Sequence, residues 1–245
     1  MEEHKIEREN KHSVLGDPFI FAFIHDIKNM MVPIVSRIEL LQVPGISDGE
    51  RNKVLNLLNK DCEVLSNTMN AMVEICRCRS GLGRYSESNG NLSLLVLSAM
   101  DVIAEPTMAK GVTIINQIPL NLEVFTDQEA LMGIFINLLA NAVKFSYRGG
   151  RVVVSTIVKG EKVLCTVRDN GMGMEIEKVT GIIEDNKFYH SPGTEGELGN
   201  GFGLMLCEAL LNRMGTCLSY GNNEGGGAWF SFELPLSKGT QGDRV

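Results

Sequence analysis

The sequence predicts an α + α/β protein in which an N-terminal two-helix hairpin precedes an α/β sandwich domain. Three observations lead to this prediction: two successive apolar repeats with steps of four and three residues, a break rich in Gly, Ser and Asn after Ser80, and alternating strand and helix patterns beyond it. At 245 residues and 44% apolar content, the chain is long enough for two modest domains, each with its own core.

The first helix is expected to begin at Pro18. Asp17 can cap a helix, and a proline is tolerated at the first helical position because that N–H has no partner in the helix. From there the apolar residues follow the spacing of a coiled-coil seam: Ile20, Ile24, Ile27, Met31, Ile34, Ile38 and Leu41.

A second helix is expected from about Glu50, after the loop sequence VPGISDGE. It repeats the same spacing at Leu55, Leu58, Cys62, Leu65, Met69, Met72 and Cys76. Two such helices joined by a short loop form an antiparallel hairpin. Because a lone hairpin buries too little apolar surface to be stable, we predict a homodimer in which two hairpins form a four-helix bundle.

The predicted domain order is a charged extension at 1–16, the hairpin at 17–80, a linker at 81–91, the α/β domain at 92–238 and a tail at 239–245. Within the α/β domain, the patterns predict a helix over 92–111, a strand at 112–118, a helix over 127–146 capped by Thr126 or Asp127, a strand pair turning at Lys159 and Gly160, a helix from about Leu204 and a closing hairpin over 217–236.

Composition excludes several classes of partner. The formal net charge of −7 disfavours nucleic-acid binding, because such proteins carry a basic excess. The six cysteines lack the paired spacing of a metal site and fit reduced thiols of a cytoplasmic protein. The apolar stretch FIFAFI is too short to span a bilayer, so we expect no membrane contact within this chain, and a membrane-attached sensor region would lie outside it.

The first helix carries a polar group beside its apolar seam. His25 and Asp26 flank the seam, and Asn29 lies one turn beyond His25 on the same face. A lone His-Asp pair is common by chance and by itself indicates a surface histidine, so a functional interpretation needs support from elsewhere in the chain.

The stretch NLLANAVKFS offers polar groups on one face of a helix. Asn137 and Asn141 are four residues apart, and Lys144 follows one turn later. An amide oxygen can bind magnesium, and a lysine can meet a phosphate. Taken alone, the same pattern fits an ordinary amphipathic helix.

Two glycine-bearing stretches follow. In RDNGMGM a strand ends at Asp169 and turns through Gly171 and Gly173, which suits a carboxylate that accepts a hydrogen bond from the exocyclic amine of a base, although Asp-Asn-Gly is also a common turn. In GNGFGL, residues Gly199, Gly201 and Gly203 lead into the helix at Leu204, and backbone N–H groups at a helix start suit a polyphosphate.

In this order, the three stretches resemble the asparagine box and the two glycine boxes of the ATP-binding domain shared by gyrase-type ATPases and sensor histidine kinases, over about residues 92–236. The resemblance implies ATP and Mg²⁺ as cofactors, with Asn141 at the magnesium, Lys144 at the phosphates and Asp169 at the adenine amine. It also implies a set of residues that frames the nucleotide: Asn137, Gly171, Gly173, Gly199, Gly201, Gly203 and Leu204.

Within this superfamily, Asn137 favours a kinase over a hydrolase, because an amide stands where hydrolytic members have a glutamate that activates water. The segment FIHDIKN resembles the phospho-acceptor box of sensor histidine kinases. This resemblance implies a protein-histidine kinase that autophosphorylates His25, with Asp26 on Nδ1, and passes the group to an aspartate of a response-regulator receiver domain. Asn29 matches the residue that supports phosphatase activity in related kinases.

The segment from Met174 to Leu198 is similar to the mobile lid over ATP, with Phe188 at the phenylalanine position of the family. Two other functions remain open on the sequence: a non-catalytic, nucleotide-regulated dimeric scaffold, and a protein-serine kinase on the same ATP-binding fold.

Overall fold

The computed structural model describes residues 18–81, 85–185, 187, 189, 191–197 and 201–237. The chain forms two compact units, Met1–Met72 and Val73–Val245. The predicted extension at 1–16, the cap at Asp17, the tail at 239–245, and the site residues Phe188 and Gly199 lie outside the described residues.

Two long helices form the N-terminal part, as predicted: α1 at Pro18–Leu41 and α2 at Asp48–Ser80. Helix α2 begins two residues earlier than expected because Ser47 and Glu50 form a capping box. The Ser47 hydroxyl donates to Glu50 Oε2 at 2.6 Å, and the Glu50 N–H donates to Ser47 Oγ at 3.3 Å. An ion pair between Arg37 and Asp61 joins the two helices.

In the single chain, several residues of the predicted apolar seam are open to solvent, while the others are half-buried or, at Met72, buried. Ile24 is 56% exposed and Met31 is 48% exposed, and Met69 on α2 is 51% exposed. A row of large apolar side chains in water favours association through that face. The exposed seam therefore supports the homodimer, which stays a prediction.

The α/β domain contains a five-stranded sheet, a separate strand pair and five helices within its described residues. In chain order the elements are β1 Glu87–Asn91, α3 Leu92–Val102, α4 Ala104–Lys110, β2 Thr113–Asn116, β3 Glu123–Asp127, α5 Gln128–Phe145, β4 Arg151–Lys159, β5 Lys162–Asp169, α6 Ile176–Ile183, α7 Phe202–Arg213, β6 Ser219–Asn222 and β7 Ala228–Pro235. The large sheet has the order β2-β4-β5-β7-β6, and β1 pairs with β3.

The pairing is antiparallel except between β2 and β4, which run parallel. Helix α5 packs against the sheet and contacts both α3 and α7. Its buried face carries Leu131, Ile134, Phe135, Leu138 and Leu139, and the ring of Phe135 lies 5.6 Å from that of Phe232 on β7. This two-layer arrangement confirms the predicted fold class of a helical hairpin followed by an α/β sandwich.

The prediction that residues 81–91 are a linker is wrong for 87–91, which form β1. The sequence ESNGN has low strand propensity, and the strand forms because it pairs with β3 from Glu87↔Asp127 to Asn91↔Glu123. Strand β3 itself was not predicted. The cap of α5 is Asp127, whose side chain accepts from the Ala130 N–H at 3.0 Å.

The single helix predicted over 92–111 is two helices. It breaks at Ile103, and α4 bends away from α3 by 66°. The cause is Pro106, whose ring would clash with the carbonyl of Val102 if the helix continued, so α3 ends at Val102 and the proline falls in the first turn of α4. In the segment predicted as a lid, residues Ile176–Ile183 form helix α6.

Across the described ranges, no single helix has the length and apolarity needed to cross a membrane, and only the bent pair α3 and α4 passes that test jointly, on length and composition.

Candidate functional site

A cavity of about 660 Å³ lies in the α/β domain between α5, α6, the start of α7 and the loop that joins β6 to β7. Its volume is in the range of sites for nucleotide-sized ligands. Eight of the predicted site residues line it together: Asn137, Asn141, Lys144, Asp169, Gly173, Gly201, Gly203 and Leu204.

Helix α5 places Asn137, Asn141 and Lys144 in this cavity because its opposite face is buried against the sheet. Asn137 donates from Nδ2 to the carbonyl of Gly133 at 2.8 Å, which fixes the direction of its amide. A Cβ at Gly203 would lie 2.8 Å from Asn137 Oδ1. Glycine at this position therefore allows the start of α7 to approach α5 closely.

The N-terminus of α7 faces the cavity. Gly201 caps the helix in the left-handed conformation, with φ of 76°, and the helix begins at Phe202. The first N–H groups of a helix have no partner within it, and they suit an anionic group such as a phosphate.

Asp169 is a buried carboxylate at the end of β5, with 5% of its surface exposed. Its Oδ1 accepts from the Gly171 N–H at 2.9 Å and from the Ala228 N–H at 3.1 Å. Burial raises the pKa of Asp169, and these hydrogen bonds oppose that rise. Since both backbone donors contact Oδ1, the second oxygen, Oδ2, can accept from a ligand.

Gly171, which is predicted to frame the nucleotide, does not line the cavity itself. A Cβ at this position would collide with the carbonyl oxygen of Phe145, at the end of α5. Gly171 thus lets the turn after β5 pack on α5, and it contributes to the site by holding Asp169 beside it.

Gly171→Ala should lower the free energy of unfolding of the α/β domain by about 1–3 kcal/mol, because the added methyl overpacks a backbone contact. Gly225→Ala serves as the control, since a Cβ at Gly225 meets no atom within 4 Å. Thermal unfolding followed by circular dichroism compares the two variants, and equal melting temperatures would contradict the packing role.

Lys144 has a weakened affinity for its proton. Its pKa is lowered to about 8, mainly because the side chain is buried. The positive charge of Lys110 also lowers the pKa of Lys144, whereas the negative charge of Glu197 raises it. Its Nζ lies 4.8 Å from the ring centroid of Phe145. Near neutral pH most Lys144 side chains are still charged, and a bound phosphate would further favour the charged form.

The donor set fits a magnesium ion that is held mainly by the nucleotide. Among the described residues, no group of three or more His, Cys, Asp or Glu side chains is close enough to hold a metal. The amide of Asn141 lines the cavity and would supply one neutral oxygen, with phosphate oxygens and water as the other ligands.

Sequence reasoning missed the wall of the cavity formed by the β6–β7 loop. Asn222 accepts from the Met174 N–H at 2.8 Å and donates to the Met174 carbonyl at 2.9 Å. Asn223 donates to the carbonyl of Asp169 at 2.8 Å. The available signal was the run of three glycines at 225–227, of which Gly226 and Gly227 have positive φ.

The predicted lid supplies a further part of the cavity wall. Helix α6 contributes Lys178, Val179 and Ile182, and beyond it Tyr189 and Ser191 also line the cavity. The lid therefore contains a regular helix at its start, and its residues do border the site.

His25 lies on α1, in the first compact unit of the chain. Its side chain is 71% exposed, whereas that of Asp26 is 8% exposed. His25 Nδ1 lies 3.4 Å from Asp26 Oδ1 and 3.2 Å from Asn29 Nδ2. Both neighbouring side chains contact Nδ1, so Nε2 is the nitrogen that is accessible to a substrate.

The two neighbours favour different tautomers. A carboxylate can only accept, so the contact with Asp26 requires a proton on Nδ1, whereas the Asn29 amide would donate to an unprotonated Nδ1. With the proton on Nδ1, Nε2 carries the lone pair that a nucleophile needs.

Comparison with known proteins agrees with this geometry. Residues 126–238 match the family described as histidine kinase-, DNA gyrase B-, and HSP90-like ATPase, so this region is an ATP-binding domain of that class. The adaptive-response sensory kinase SasA of Trichormus variabilis is 28% identical over 233 residues, which are 90% of this chain and 57% of SasA.

Two solved structures share the fold. Histidine kinase ThkA in complex with the response regulator TrrA has a TM-score of 0.72 at 21% identity, covering 97% of this chain and 67% of that one. Full-length ShkA in complex with AMPPNP has a TM-score of 0.61 at 21% identity, covering 89% and 45%. The matched domain and the similarity to SasA support a sensor histidine kinase. The chain spans little more than half the length of SasA.

Proposed function

We propose that this chain is the catalytic core of a protein-histidine kinase, which transfers the γ-phosphoryl group of ATP to Nε2 of His25 and then to an aspartate of a response regulator. The observation that carries the proposal is the pair of sites: a cavity lined by amides, glycines and a buried aspartate, and an exposed imidazole with a carboxylate at its other nitrogen.

In the cavity, Asp169 Oδ2 accepts a hydrogen bond from the adenine amine, and Lys144 meets the phosphates. The N-terminal N–H groups of α7, next to Gly201 and Gly203, bind phosphate oxygens. Asn141 would hold a magnesium ion together with the phosphates, and that ion would supply charge neutralisation. That ShkA was solved with AMPPNP supports an adenine nucleotide as the ligand.

Transfer to His25 requires the neutral ring with its proton on Nδ1. Asp26 accepts the hydrogen bond from that N–H, which leaves the Nε2 lone pair for in-line attack on the γ-phosphorus. The N–P bond forms as the P–O bond to ADP breaks, and ADP leaves. The nearby Asp26 carboxylate stabilises the positive charge that develops on the ring.

Hydrolysis is disfavoured because Asn137, which projects into the cavity from α5, has a neutral amide that cannot take a proton from water. The phosphoryl group passes instead to a protein nucleophile, and a second transfer to a receiver aspartate follows. That ThkA was solved with a response regulator supports this partner. Asn29, beside His25, would support a phosphatase activity by orienting a water molecule that attacks the phosphoaspartate of the regulator and releases inorganic phosphate.

The exposed seam of α1 and α2 supports a homodimer, in which two hairpins form a four-helix bundle and His25 stays at its surface. We place the protein in the cytoplasm, where ATP and response regulators are available.

The chemistry of the phosphorylated bond tests the proposal. The purified chain is incubated with γ-labelled ATP and Mg²⁺, and the labelled protein is then treated with acid and with base. A phosphohistidine loses its label in acid and keeps it in base. Label that survives acid but is lost in base would indicate the protein-serine kinase, and ATP binding without any label would indicate the nucleotide-regulated scaffold.

A further inference from the structure

Lys110, the last residue of α4, is a buried ammonium group. The residue is 3% exposed. An ammonium removed from water loses several kcal/mol of hydration unless it has close partners. Its Nζ donates to the carbonyl of Lys144 at 2.5 Å and to Glu197 Oε1 at 2.7 Å. Lys110 thus joins the end of α5 to the segment 191–197.

The carbonyl of Lys144 is a meeting point of three parts of the domain. It belongs to the last turn of α5, where carbonyls need partners from outside the helix. Besides Lys110 Nζ, it accepts from the Thr194 N–H at 3.3 Å. The Thr194 hydroxyl donates to the carbonyl of Ser146 at 2.5 Å. The backbone of Lys144 is therefore held by α4 on one side and by the segment 191–197 on the other.

Glu197 also holds the segment 191–197 in shape. Its carbonyl accepts from the Gly193 N–H at 2.7 Å, and its Oε2 accepts from the Glu195 N–H at 2.8 Å. A Cβ at Gly193 would lie 2.8 Å from Cγ of Lys144. The turn that Glu197 stabilises thus packs directly on the stem of the Lys144 side chain.

The charges around Lys144 act on its proton affinity. Glu197 raises the pKa of Lys144 and Lys110 lowers it, while burial is the largest influence and brings the value to about 8. The pKa of Glu197 is lowered, because hydrogen bonds from Lys110 and from backbone N–H groups outweigh its partial burial. Lys144 itself lines the cavity of the α/β domain, together with three other charged residues: Asp169, Glu175 and Lys178.

We propose that Lys110 and Glu197 are positioning residues, whose ion pair holds the segment 191–197 against α5 and keeps the Lys144 ammonium directed at the nucleotide phosphates. We name this pair the Lys110–Glu197 clasp. The inference rests on the proposed function, since it takes ATP as the ligand.

Glu197→Gln tests the clasp through binding measurements with ATP and with adenosine over a range of pH. At about pH 8, the pKa of Lys144 in the parent, ATP binding should be about fivefold weaker in the variant, because the neutral amide no longer favours the charge on Lys144. The pH at which ATP affinity falls off should also move to a lower value. Adenosine has no phosphate, so its affinity should not change.

The matched control is Glu195→Gln in the same segment. Glu195 pairs with Arg148 at 2.7 Å on the surface, where the two side chains are 40% and 69% exposed. Exposed pairs contribute little. This variant should bind ATP within about twofold of the parent at every pH.

A double variant, Lys110→Met with Glu197→Met, covers the case in which a single change prevents folding. Replacing a buried ion pair by apolar residues of similar size often preserves stability. The double variant should therefore melt close to the parent temperature and still bind ATP more weakly, because the segment 191–197 is no longer held to α5. Its pH shift should be smaller than that of Glu197→Gln, because the two lost charges act on the pKa of Lys144 in opposite directions.

The results separate the two levels of inference. ATP binding equal to that of the parent in Glu197→Gln or in the double variant overturns the clasp alone, as does an equal loss of adenosine binding. A parent chain that binds no ATP overturns the proposed function, and the clasp with it.

Discussion

His25→Gln is expected to reduce the incorporation of label from γ-labelled ATP by about 10³-fold or more, because it removes the nitrogen that receives the phosphoryl group. Glutamine has about the same reach as histidine but lacks a nucleophilic lone pair at neutral pH. His25 is 71% exposed, so the change should not disturb the fold. The measurement is the initial rate of labelling at saturating ATP and Mg²⁺.

ATP affinity provides the internal control, because His25 does not line the cavity. The His25→Gln chain should bind ATP as tightly as the parent. Asp26→Asn offers a graded comparison, since it keeps the nucleophile but weakens the acceptor at Nδ1. Its labelling rate should fall by about 10-fold to 10³-fold. Persistent acid-labile label in His25→Gln would show that another residue is the acceptor.

Asp169→Asn is expected to weaken ATP binding by about 10-fold to 100-fold. The loss follows from replacing a charged acceptor by an amide whose NH₂ group would face the adenine amine, and hydrogen bonds to charged groups contribute about 1.5–3 kcal/mol. The amide oxygen can still accept from the N–H groups of Gly171 and Ala228, so the turn should persist. Isothermal titration with ATP gives the affinity.

Asp101→Asn is the matched control for this change, because Asp101 lies exposed on α3 and does not line the cavity. It should leave ATP affinity unchanged within about twofold. The same two variants should differ in labelling of His25 at low ATP concentration and become similar as ATP approaches saturation. Unchanged ATP affinity in Asp169→Asn would exclude this carboxylate from base recognition.

The parts of the site that the sequence predicts are those with a local cause. Asn137, Asn141 and Lys144 share a face because helical spacing places them there, and the buried residues of α5 determine which way that face points. Asp169 was predictable because a strand pattern stops at it and glycines follow. In each case the spacing of nearby residues was sufficient to locate the side chain.

The parts that sequence reasoning missed depend on long-range contacts. Strand β1 forms from a polar sequence only because β3 is available to pair with it. Asn222 and Asn223 reach the site because β6 and β7 bring them beside Met174 and Asp169, which are about fifty residues earlier in the chain. Spacing within a short stretch carries no information about such neighbours.

The bend between α3 and α4, which Pro106 causes, determines where the ammonium group of Lys110 lies. An unbroken helix would carry Lys110 about 12 Å past Val102 along the axis of α3, at a rise of 1.5 Å per residue. The break at Ile103 instead turns α4 by 66° and seats the ammonium under the end of α5. The position of the Lys110 ammonium therefore depends on Pro106. In a chain without the proline and with a straight helix, Lys110 would not reach the end of α5.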